Sequence, residues 1–415
     1  MELKPGYKQT AVGVIPEGWD VALVSSLLAL PIQNGVFNEP SRKGRGCKLI
    51  NVIDLYGSFP IDTKDLERFD ANRDEFLRFG VKHGDMFFTR SSLTLDGIAK
   101  CNVYRGDGNE DVVFDCHIIR VRPNSRKAEP FYLARYCNSR PARSYLVANA
   151  KTTTMTTIDQ SVVAKLPVAL PPLPEQRAIA TALSDVDGLL GGLDRLFAKK
   201  RDLKQAAMQQ LLTGQTRLPG FQGEWEETTL GQMGECIIGL TYKPENVVEH
   251  GLLVLRSSNV QEGRLAYDDN VYVNLQVSVH LYTRLGDILV CVRNGSRALI
   301  GKCAVIDSTA VGVTFGAFMS VYRTKHWRYV FHAFQADDIQ RQIRDNIGAT
   351  INQITNKDMD AFRLRLPPEA EQTAIAEVLT EMDAELAVLE QRREKTRALK
   401  QAMMHSLLTG LIRLV

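Results

Sequence analysis

The stretch Leu170-Pro171-Pro172-Leu173-Pro174-Glu175-Gln176 recurs as Leu366-Pro367-Pro368-Glu369-Ala370-Glu371-Gln372, 196 residues further along the chain. The same offset continues without a gap through Leu-Leu-Thr-Gly at residues 211–214 and 407–410, and roughly half of the aligned positions are identical. Chance does not produce a match of this length. The chain therefore contains a duplicated segment of about fifty residues.

Each duplicated segment has the pattern of a long helix. Prolines suit its first turn, and Gly214 and Gly410 suit its end, where the chain leaves the helix. We predict one helix from residue 175 to residue 212 and a second at the equivalent positions, with Leu203 and Leu399 starting a new apolar stripe after a shift of register. Apolar residues at alternating spacings of four and three form the seam of a coiled coil: Ile179, Leu183, Val186, Leu190 and Leu193, then Ile375, Leu379, Met382, Leu386 and Leu389.

Two helices that each carry one apolar seam can bury both by pairing, most simply antiparallel. The alternative is that each helix packs on its own neighbouring domain. The segments between the helices echo each other faintly: Gly84-Asp85 and Gly286-Asp287 both precede a strand-like apolar run. The predicted fold class is α+β, with two mixed α/β domains (residues 1–165 and 216–361) alternating with two long helices (residues 166–215 and 362–415) that pair as an antiparallel coiled coil.

Composition limits the class of protein. Seven scattered cysteines without a C-x-x-C pair predict neither a disulfide framework nor a zinc site. Without an apolar run of eighteen residues, and with a polar start, we expect no membrane span and a cytoplasmic location. The net charge of +3 is low for a protein that binds nucleic acid non-specifically.

Motifs of common catalytic sites are missing from the sequence. The Pro-Pro pairs lie at helix starts and lack the flanking residues of an adenine methyltransferase motif. Gly295 and Gly301-Lys302-Cys303 have the wrong spacing for a phosphate-binding loop, and no H-E-x-x-H is present. We therefore expect no active site, no metal and no cofactor in this chain.

The chain resembles, over nearly its whole length, the specificity subunits of type I restriction–modification systems. Two variable domains alternate with two helices that begin at Leu-Pro-Pro-x-x-Glu-Gln and end at Leu-Leu-Thr-Gly. The resemblance implies a non-catalytic subunit whose domains each read one half of a bipartite, asymmetric site in double-stranded DNA, while the helices fix the length of the unread spacer between the halves. It also implies two modification subunits that bring S-adenosylmethionine, and restriction subunits that bring ATP and magnesium.

The candidate DNA contacts are basic and polar residues in predicted loops, because such side chains can bond to base edges and phosphates. The alternative for each is a solvated loop residue. The basic runs at residues 199–201 and 392–393 are interpreted as a solvated face or a partner contact. The candidates are Arg90, Ser91 and Ser92, then Arg293, Asn294, Ser296 and Arg297, then Arg42, Lys43, Arg45, Tyr242 and Lys243, and finally Thr153, Thr350 and Asn352.

Two other functions fit the same pattern. The first is a coiled-coil scaffold whose globular domains bind proteins. The second is a specificity subunit of a different restriction class. DNA binding by the purified protein would separate the first from the main hypothesis.

Overall fold

The computed structural model describes residues 5–106, 110–152, 154–347 and 352–414. The chain divides into two compact units: unit 1 consists of Met1–Asp194 and Gln391–Val415, and unit 2 of Arg195–Glu390. Each unit therefore contains one globular domain and one half of each long helix. No helix in the described ranges is long and apolar enough to cross a membrane.

In the part of unit 1 that the structure describes, fourteen short strands and four short helices precede the first long helix. Its strands are β1 (Tyr7–Thr10), β2 (Gly13–Pro16), β3 (Asp20–Leu23), β4 (Gln33–Asn34), β5 (Lys43–Ile50), β6 (Glu67–Phe69), β7 (Met86–Thr89), β8 (Ser91–Ser92), β9 (Cys101–Val103), β10 (Val112–Phe114), β11 (Ile118–Val121), β12 (Lys151–Thr152), β13 (Thr156–Thr157) and β14 (Pro167–Leu170). Its helices are α1 (Arg73–Phe79), α2 (Pro130–Cys137), α3 (Arg140–Ala148) and α4 (Gln160–Ala164), followed by the long helix α5 (Leu173–Leu212).

Unit 2 repeats this plan. Its strands are β15 (Glu226–Thr229), β16 (Glu235–Ile238), β17 (Val247–Val248), β18 (Leu252–Leu255), β19 (Val260–Gln261), β20 (Arg264–Leu265), β21 (Val271–Val273), β22 (Ile288–Cys291), β23 (Cys303–Val305), β24 (Thr314–Phe315), β25 (Met319–Arg323) and β26 (Arg363–Leu366). Its helices are α6 (Leu230–Met233), α7 (Trp327–Gln335), α8 (Asp337–Asn346) and α9 (Asn356–Ala361), followed by the second long helix α10 (Glu369–Leu408).

The sheets of the two units correspond in topology. The four-stranded sheet β4-β11-β7-β9 of unit 1 matches β16-β25-β22-β23 of unit 2. In both sheets the central strands, β7 and β22, are buried along their whole length. A parallel pair follows in each unit, β10 on β5 and β24 on β18. The strand just before each long helix pairs back onto its domain, β14 on β3 and β26 on β15.

The Leu-Pro-Pro-x-x-Glu-Gln motif makes the same contacts in both units. The Gln176 side-chain amide donates to the Pro171 carbonyl at 2.8 Å, and Gln372 does the same to Pro367 at 2.8 Å. These bonds hold the first turn of each helix against the strand that precedes it. Both helices start at equivalent positions, so the change from Leu173-Pro174 to Glu369-Ala370 does not move the start of α10.

The glutamate of the motif joins the start of one long helix to the residues that follow the other. In unit 1, Glu175 accepts both Arg413 guanidinium bonds, at 2.6 and 2.7 Å, and the Trp19 indole N–H at 3.0 Å. In unit 2, Glu371 binds Arg217 twice at 2.6 Å and Trp225 at 3.2 Å. We call each set the Trp–Glu–Arg clasp.

Within each unit the two half-helices run antiparallel. In unit 1, the order of pairing is Glu175 with Arg413, Asp187 with Lys400 at 2.6 Å, and Asp194 with Arg393 at 2.7 Å. In unit 2, Lys200 pairs with Glu385 at 2.6 Å, Lys204 with Asp383 at 2.5 Å, and Arg217 with Glu371 at 2.6 Å. Residue numbers rise along one helix as they fall along the other, which is the antiparallel order that the fold prediction requires.

The apolar seams pack on the helices and on the domains together. Ile179 and Leu183 share one core with the first domain and with Leu407 and Leu408 from the end of α10. Ile375 and Leu379 share the equivalent core of unit 2 with Met208, Leu211 and Leu212. The remaining seam residues are buried or half-buried: Val186, Leu190, Leu193, Met382, Leu386 and Leu389. Helix pairing and packing on the domain are therefore not alternatives here.

The predicted second stripe at Leu203 and Leu399 is wrong. These side chains are 48% and 53% exposed. Beyond the midpoint, α5 instead buries Met208 and Leu211, because its last turns close onto the core of unit 2. Which face of the helix is covered depends on that core and cannot be deduced from the helix alone.

Candidate nucleic-acid interface

The first candidate loop of unit 1 leaves the end of the buried strand β7. The backbone N–H of Arg90 donates to the His117 carbonyl at 3.0 Å, and the Arg90 carbonyl accepts from Ile158 N–H at 2.9 Å. The backbone N–H and the carbonyl of Arg90 are therefore both hydrogen-bonded, while its side chain is exposed. A fixed backbone with an exposed cation suits binding to an anion.

A second polar segment of the sequence lies beside this loop. Strand β8, which contains Ser91 and Ser92, pairs with Thr157 and Thr156 of β13, and β13 pairs with β12. The structure therefore brings the Arg90 loop and the tract that follows α3 into one small sheet. Thr153 lies outside the described residues.

The equivalent loop of unit 2 leaves the end of β22 and is closed in the same way. Asn294 N–H donates to the Asn352 carbonyl at 3.3 Å, and the Asn352 side chain donates to Gly295 at 3.0 Å. The Asn294 side chain also donates to Ser257 at 3.1 Å and accepts from Ser296 N–H at 2.9 Å. Two candidate segments that are about sixty residues apart in sequence thus form one site.

Arginines lie at both ends of this second loop. The Arg293 side chain is exposed and its guanidinium stacks on the Phe318 ring, whereas Arg297 donates to the Ile347 carbonyl at 3.3 Å. Thr350 lies outside the described residues. The loop therefore presents cations on a backbone held by side-chain hydrogen bonds.

The two loops are equivalent but differ in register by one residue. Ile158 N–H bonds to the Arg90 carbonyl in unit 1, and Ile354 N–H bonds to the Val292 carbonyl in unit 2. Arg90 therefore corresponds to Val292, and Arg293 is one residue further on. The two units place an arginine differently on the same frame.

The other basic candidates of unit 1 are neutralised by neighbours. Arg42 binds Glu75, donates to the Asp70 carbonyl and lies over the Phe69 ring at 4.6 Å. Lys43 pairs with Glu67 at 3.0 Å and Arg45 with Asp70 at 2.8 Å. These residues lie at or just before the start of β5. The other end of this strand is near the Arg90 loop, because the Ile50 carbonyl accepts from the N–H of Asp115, two residues before His117. The structure does not bring these residues to the Arg90 loop.

The remaining candidates, Tyr242 and Lys243, differ in their distance from the Arg293 loop. The half-buried Tyr242 ring lies beside Gly316, two residues before Phe318, and is therefore close to the Arg293 end of unit 2. Lys243 is exposed and pairs with the exposed Glu245 at 3.5 Å. Of this pair, only Tyr242 is placed near the loop.

Two rings at these loop sites were not identified from the sequence, His117 in unit 1 and Phe318 in unit 2. Each provides the carbonyl that receives the loop backbone. The His117 Nδ1 lies 2.9 Å from Asp115 Oδ1, and the Phe318 side chain is 54% exposed. Each ring comes just before a buried strand, and nothing in the sequence at that position indicates that the ring is exposed.

One group of possible metal ligands occurs within the described residues, formed by the consecutive Asp115, Cys116 and His117. Burial, and then the charge of Asp115, raises the pKa of the Cys116 thiol, which disfavours the thiolate that binds metals. Asp115 is already used, because it accepts from His117 N–H at 2.6 Å and from Asn38 at 2.7 Å. These contacts explain the cluster as a hydrogen-bonded turn.

Type I restriction enzyme specificity subunits are among the known proteins that this chain resembles in sequence. A family model described as the type I restriction modification DNA specificity domain matches residues 82–193 and 222–397. The chain is 25% identical over 427 residues to a protein that carries the name of the type I restriction enzyme MjaX specificity subunit, from Methanocaldococcus jannaschii, covering 98% of this chain and 96% of that protein. It is 28% identical over 202 residues to the EcoKI specificity subunit of Escherichia coli K12, covering 45% of this chain and 43% of the relative.

A solved structure supports the fold. The type I restriction–modification system S subunit from M. genitalium aligns with a TM-score of 0.62 at 14% identity, and the alignment covers 98% of both chains. At this identity the likeness concerns the fold alone. The family model, in contrast, covers more than half of the sequence in two blocks that include both loop sites. The chain therefore belongs to the family of type I restriction–modification DNA specificity subunits.

Proposed function

We propose that the chain reads a bipartite, asymmetric site in double-stranded DNA through two loop sites, one in each unit. The observation that supports this is the repeated placement of an exposed arginine at the end of a buried central strand, in a loop held by a second polar segment. Arginine on a fixed backbone can form bidentate bonds to guanine in the major groove. The one-residue difference in register between the loops gives each unit its own specificity.

The family and the relatives support a division of labour with partner subunits. In this proposal two modification subunits bind the paired helices and bring S-adenosylmethionine, and restriction subunits bring ATP and magnesium. The chain has no catalytic role and works in the cytoplasm, where the host DNA is. A solved structure from a study of complex assembly in a type I system aligns with this chain at a TM-score of 0.57 and 19% identity.

The experiment is to express the chain with the modification subunit of its own system and to sequence the methylated bases of the host DNA. We expect one motif with two half-sites and an unread gap. Arg90→Ala should relax one half-site and Arg293→Ala the other. Arg45→Ala is the matched control, because it removes an exposed arginine that already pairs with Asp70.

Two results would contradict the proposal. One is the absence of any modified motif that depends on this chain. The other is that Arg90→Ala and Arg293→Ala relax the same half-site. In that case the two loops, which lie in separate units, would not read separate halves of the site.

A further inference from the structure

The loop of unit 2 contains a stacked pair formed by Arg293 and Phe318. The guanidinium carbon lies 4.9 Å from the centre of the ring. The N–H groups of Val292 and Arg293 both donate to the Phe318 carbonyl, at 3.0 and 3.1 Å. Backbone bonds and stacking therefore hold the two side chains together.

Phe318 is exposed although its neighbours are not. Its side chain is 54% exposed, while Phe315 and Met319 are fully buried. Among the described residues the ring belongs to neither hydrophobic core of unit 2, and more than half of it faces solvent beside an exposed cation. An exposed aromatic residue next to an arginine is a combination typical of binding surfaces.

The stacking also orients the arginine. A guanidinium lying over a ring loses part of its rotational freedom before it binds a ligand, so less entropy is lost on binding. The loop beneath is fixed by the bonds from Asn294 to Ser257 and from Asn352 to Gly295. The pair is thus presented on a rigid base.

We propose that Arg293 and Phe318 read two neighbouring base pairs as one unit, a guanine and a thymine. This rests on the DNA-reading function proposed above. Arginine matches the O6 and N7 acceptors of guanine, and an apolar ring matches the C5 methyl group of thymine. Their 4.9 Å separation is comparable with the rise of about 3.4 Å between base pairs, which makes the two bases adjacent in sequence.

The described residues of unit 1 contain no equivalent pair, so this unit serves as an internal comparison. The carbonyl equivalent to that of Phe318 belongs to His117, whose Nδ1 lies 2.9 Å from Asp115 Oδ1. Its ring is polar and partly engaged. Dependence on a thymine methyl group is therefore assigned to the half-site that unit 2 reads.

The test uses the full chain assembled with the modification subunit of its own system and a library of random 40-base-pair duplexes. One library contains thymine. In the other, uracil replaces thymine, which removes the C5 methyl group and keeps the base pairing. Bound duplexes are sequenced for the wild type, Phe318→Ala, Phe318→Leu and Arg293→Ala.

The control variant is Leu285→Ala. Leu285 is 65% exposed and precedes β22, whereas Arg293 follows that strand, so the change removes a similar apolar surface at the opposite end.

For the wild type, we expect one thymine next to a guanine in one half-site, and uracil at that position should weaken selection about fourfold, the value for one buried methyl group. Phe318→Ala should abolish this difference between the libraries, and Phe318→Leu should keep part of it. Arg293→Ala should relax the neighbouring guanine. Leu285→Ala should match the wild type.

The outcomes distinguish a failure of the Arg293–Phe318 proposal from a failure of the DNA-reading function on which it rests. If the wild type selects two half-sites but treats thymine and uracil alike, the inference is wrong and the proposed function stands. The same holds if Phe318→Ala keeps the full preference for the methyl group. If the wild type selects no sequence at all, the proposed function is wrong and the inference falls with it. Selection of the other positions of the unit 2 half-site by each variant shows that unit 2 is folded, and the uracil comparison on the wild type needs no variant.

Discussion

We predict that His332 makes the stability of unit 2 depend on pH. His332 belongs to α7, is 1% exposed, and faces the long helix α10 within unit 2. Its Nε2 lies 3.2 Å from Thr380 Oγ1, and its Nδ1 lies 3.9 Å from the Asp383 carboxylate. Burial lowers the pKa of His332 from 6.5 to about 4, although Asp383 acts in the opposite direction. The imidazole is therefore neutral in the folded protein at pH 7.

The sign and size of the effect follow from this depressed pKa. In the unfolded chain the imidazole takes up a proton near pH 6.5, whereas in the folded state it does so only near pH 4. The stability linked to the neutral ring is therefore complete above pH 6.5 and is lost as the pH falls towards 4. The loss amounts to about 1 kcal/mol at pH 5.5 and approaches about 3 kcal/mol below pH 4.

The perturbation is His332→Gln, which removes the titrating group and keeps a polar side chain near Thr380. Hydrogen exchange of the α7 amides, corrected for the intrinsic pH dependence of exchange, gives the free energy of opening at pH 7.5 and 5.5. We expect the wild type to lose about 1 kcal/mol more than the variant between these two conditions.

Unit 1 provides a matched control. Helix α2 presents Arg135 to Asp187 at 2.7 Å and to Ser184 at 3.2 Å, as α7 presents His332 to Asp383 and Thr380. A guanidinium stays charged over this range of pH, so α2 should show no equivalent loss. Equal pH dependence of α7 in the wild type and in His332→Gln would refute the reasoning.

Four further results are expected. Arg293→Ala should cost about 1–3 kcal/mol on the target duplex and relax one base position; a filter-binding assay in which target and random duplex lose affinity equally would mark a phosphate contact instead. Glu371→Gln should lower the free energy of unfolding of unit 2, because the fully buried carboxylate that accepts from Arg217 and Trp225 is replaced by a neutral amide, and unchanged exchange protection in α10 would contradict this. Both helices become about 6 Å longer when four residues are inserted after Asp194 and four after Glu390, and the ion pairs within each unit are kept. The half-sites should then stay the same, while the gap in the methylated motif grows by about one or two base pairs. An unchanged gap with full activity would show that the helices do not set the gap. The purified chain alone should transfer no methyl group from S-adenosylmethionine to DNA, and transfer without a partner would assign catalysis to this chain.

The paired insertion shows how the structure changes an experiment that the sequence suggests. From the heptad pattern, one insertion after Leu193 is enough to lengthen the helix. The structure pairs Asp194 with Arg393 of α10 in unit 1, and Lys200 with Glu385 in unit 2. An insertion in one helix alone would therefore put these pairs out of register, so both helices need the same change.

The sequence alone was sufficient for the helices and for the repeat. The long helix α5 runs from Leu173 to Leu212, and the pattern predicts residues 175–212. Proline at the start, glycine at the end and a repeating apolar spacing are local signals, which act over a few residues and can be read directly. Gly214 and Gly410 both have φ near +72°, the left-handed conformation expected at the end of a helix.

The tertiary structure decided which distant residues meet. The motif identifies Glu175 as part of a helix start, but its partner, Arg413, is 238 residues away and was not predicted. Likewise, the pattern places Leu203 on an apolar stripe, and the fold leaves it 48% exposed. Burial and pairing depend on what another part of the chain brings to a surface, and no local pattern contains that information. For the same reason, the sequence could nominate Arg293 as a loop cation, while only the fold placed Phe318 beneath it.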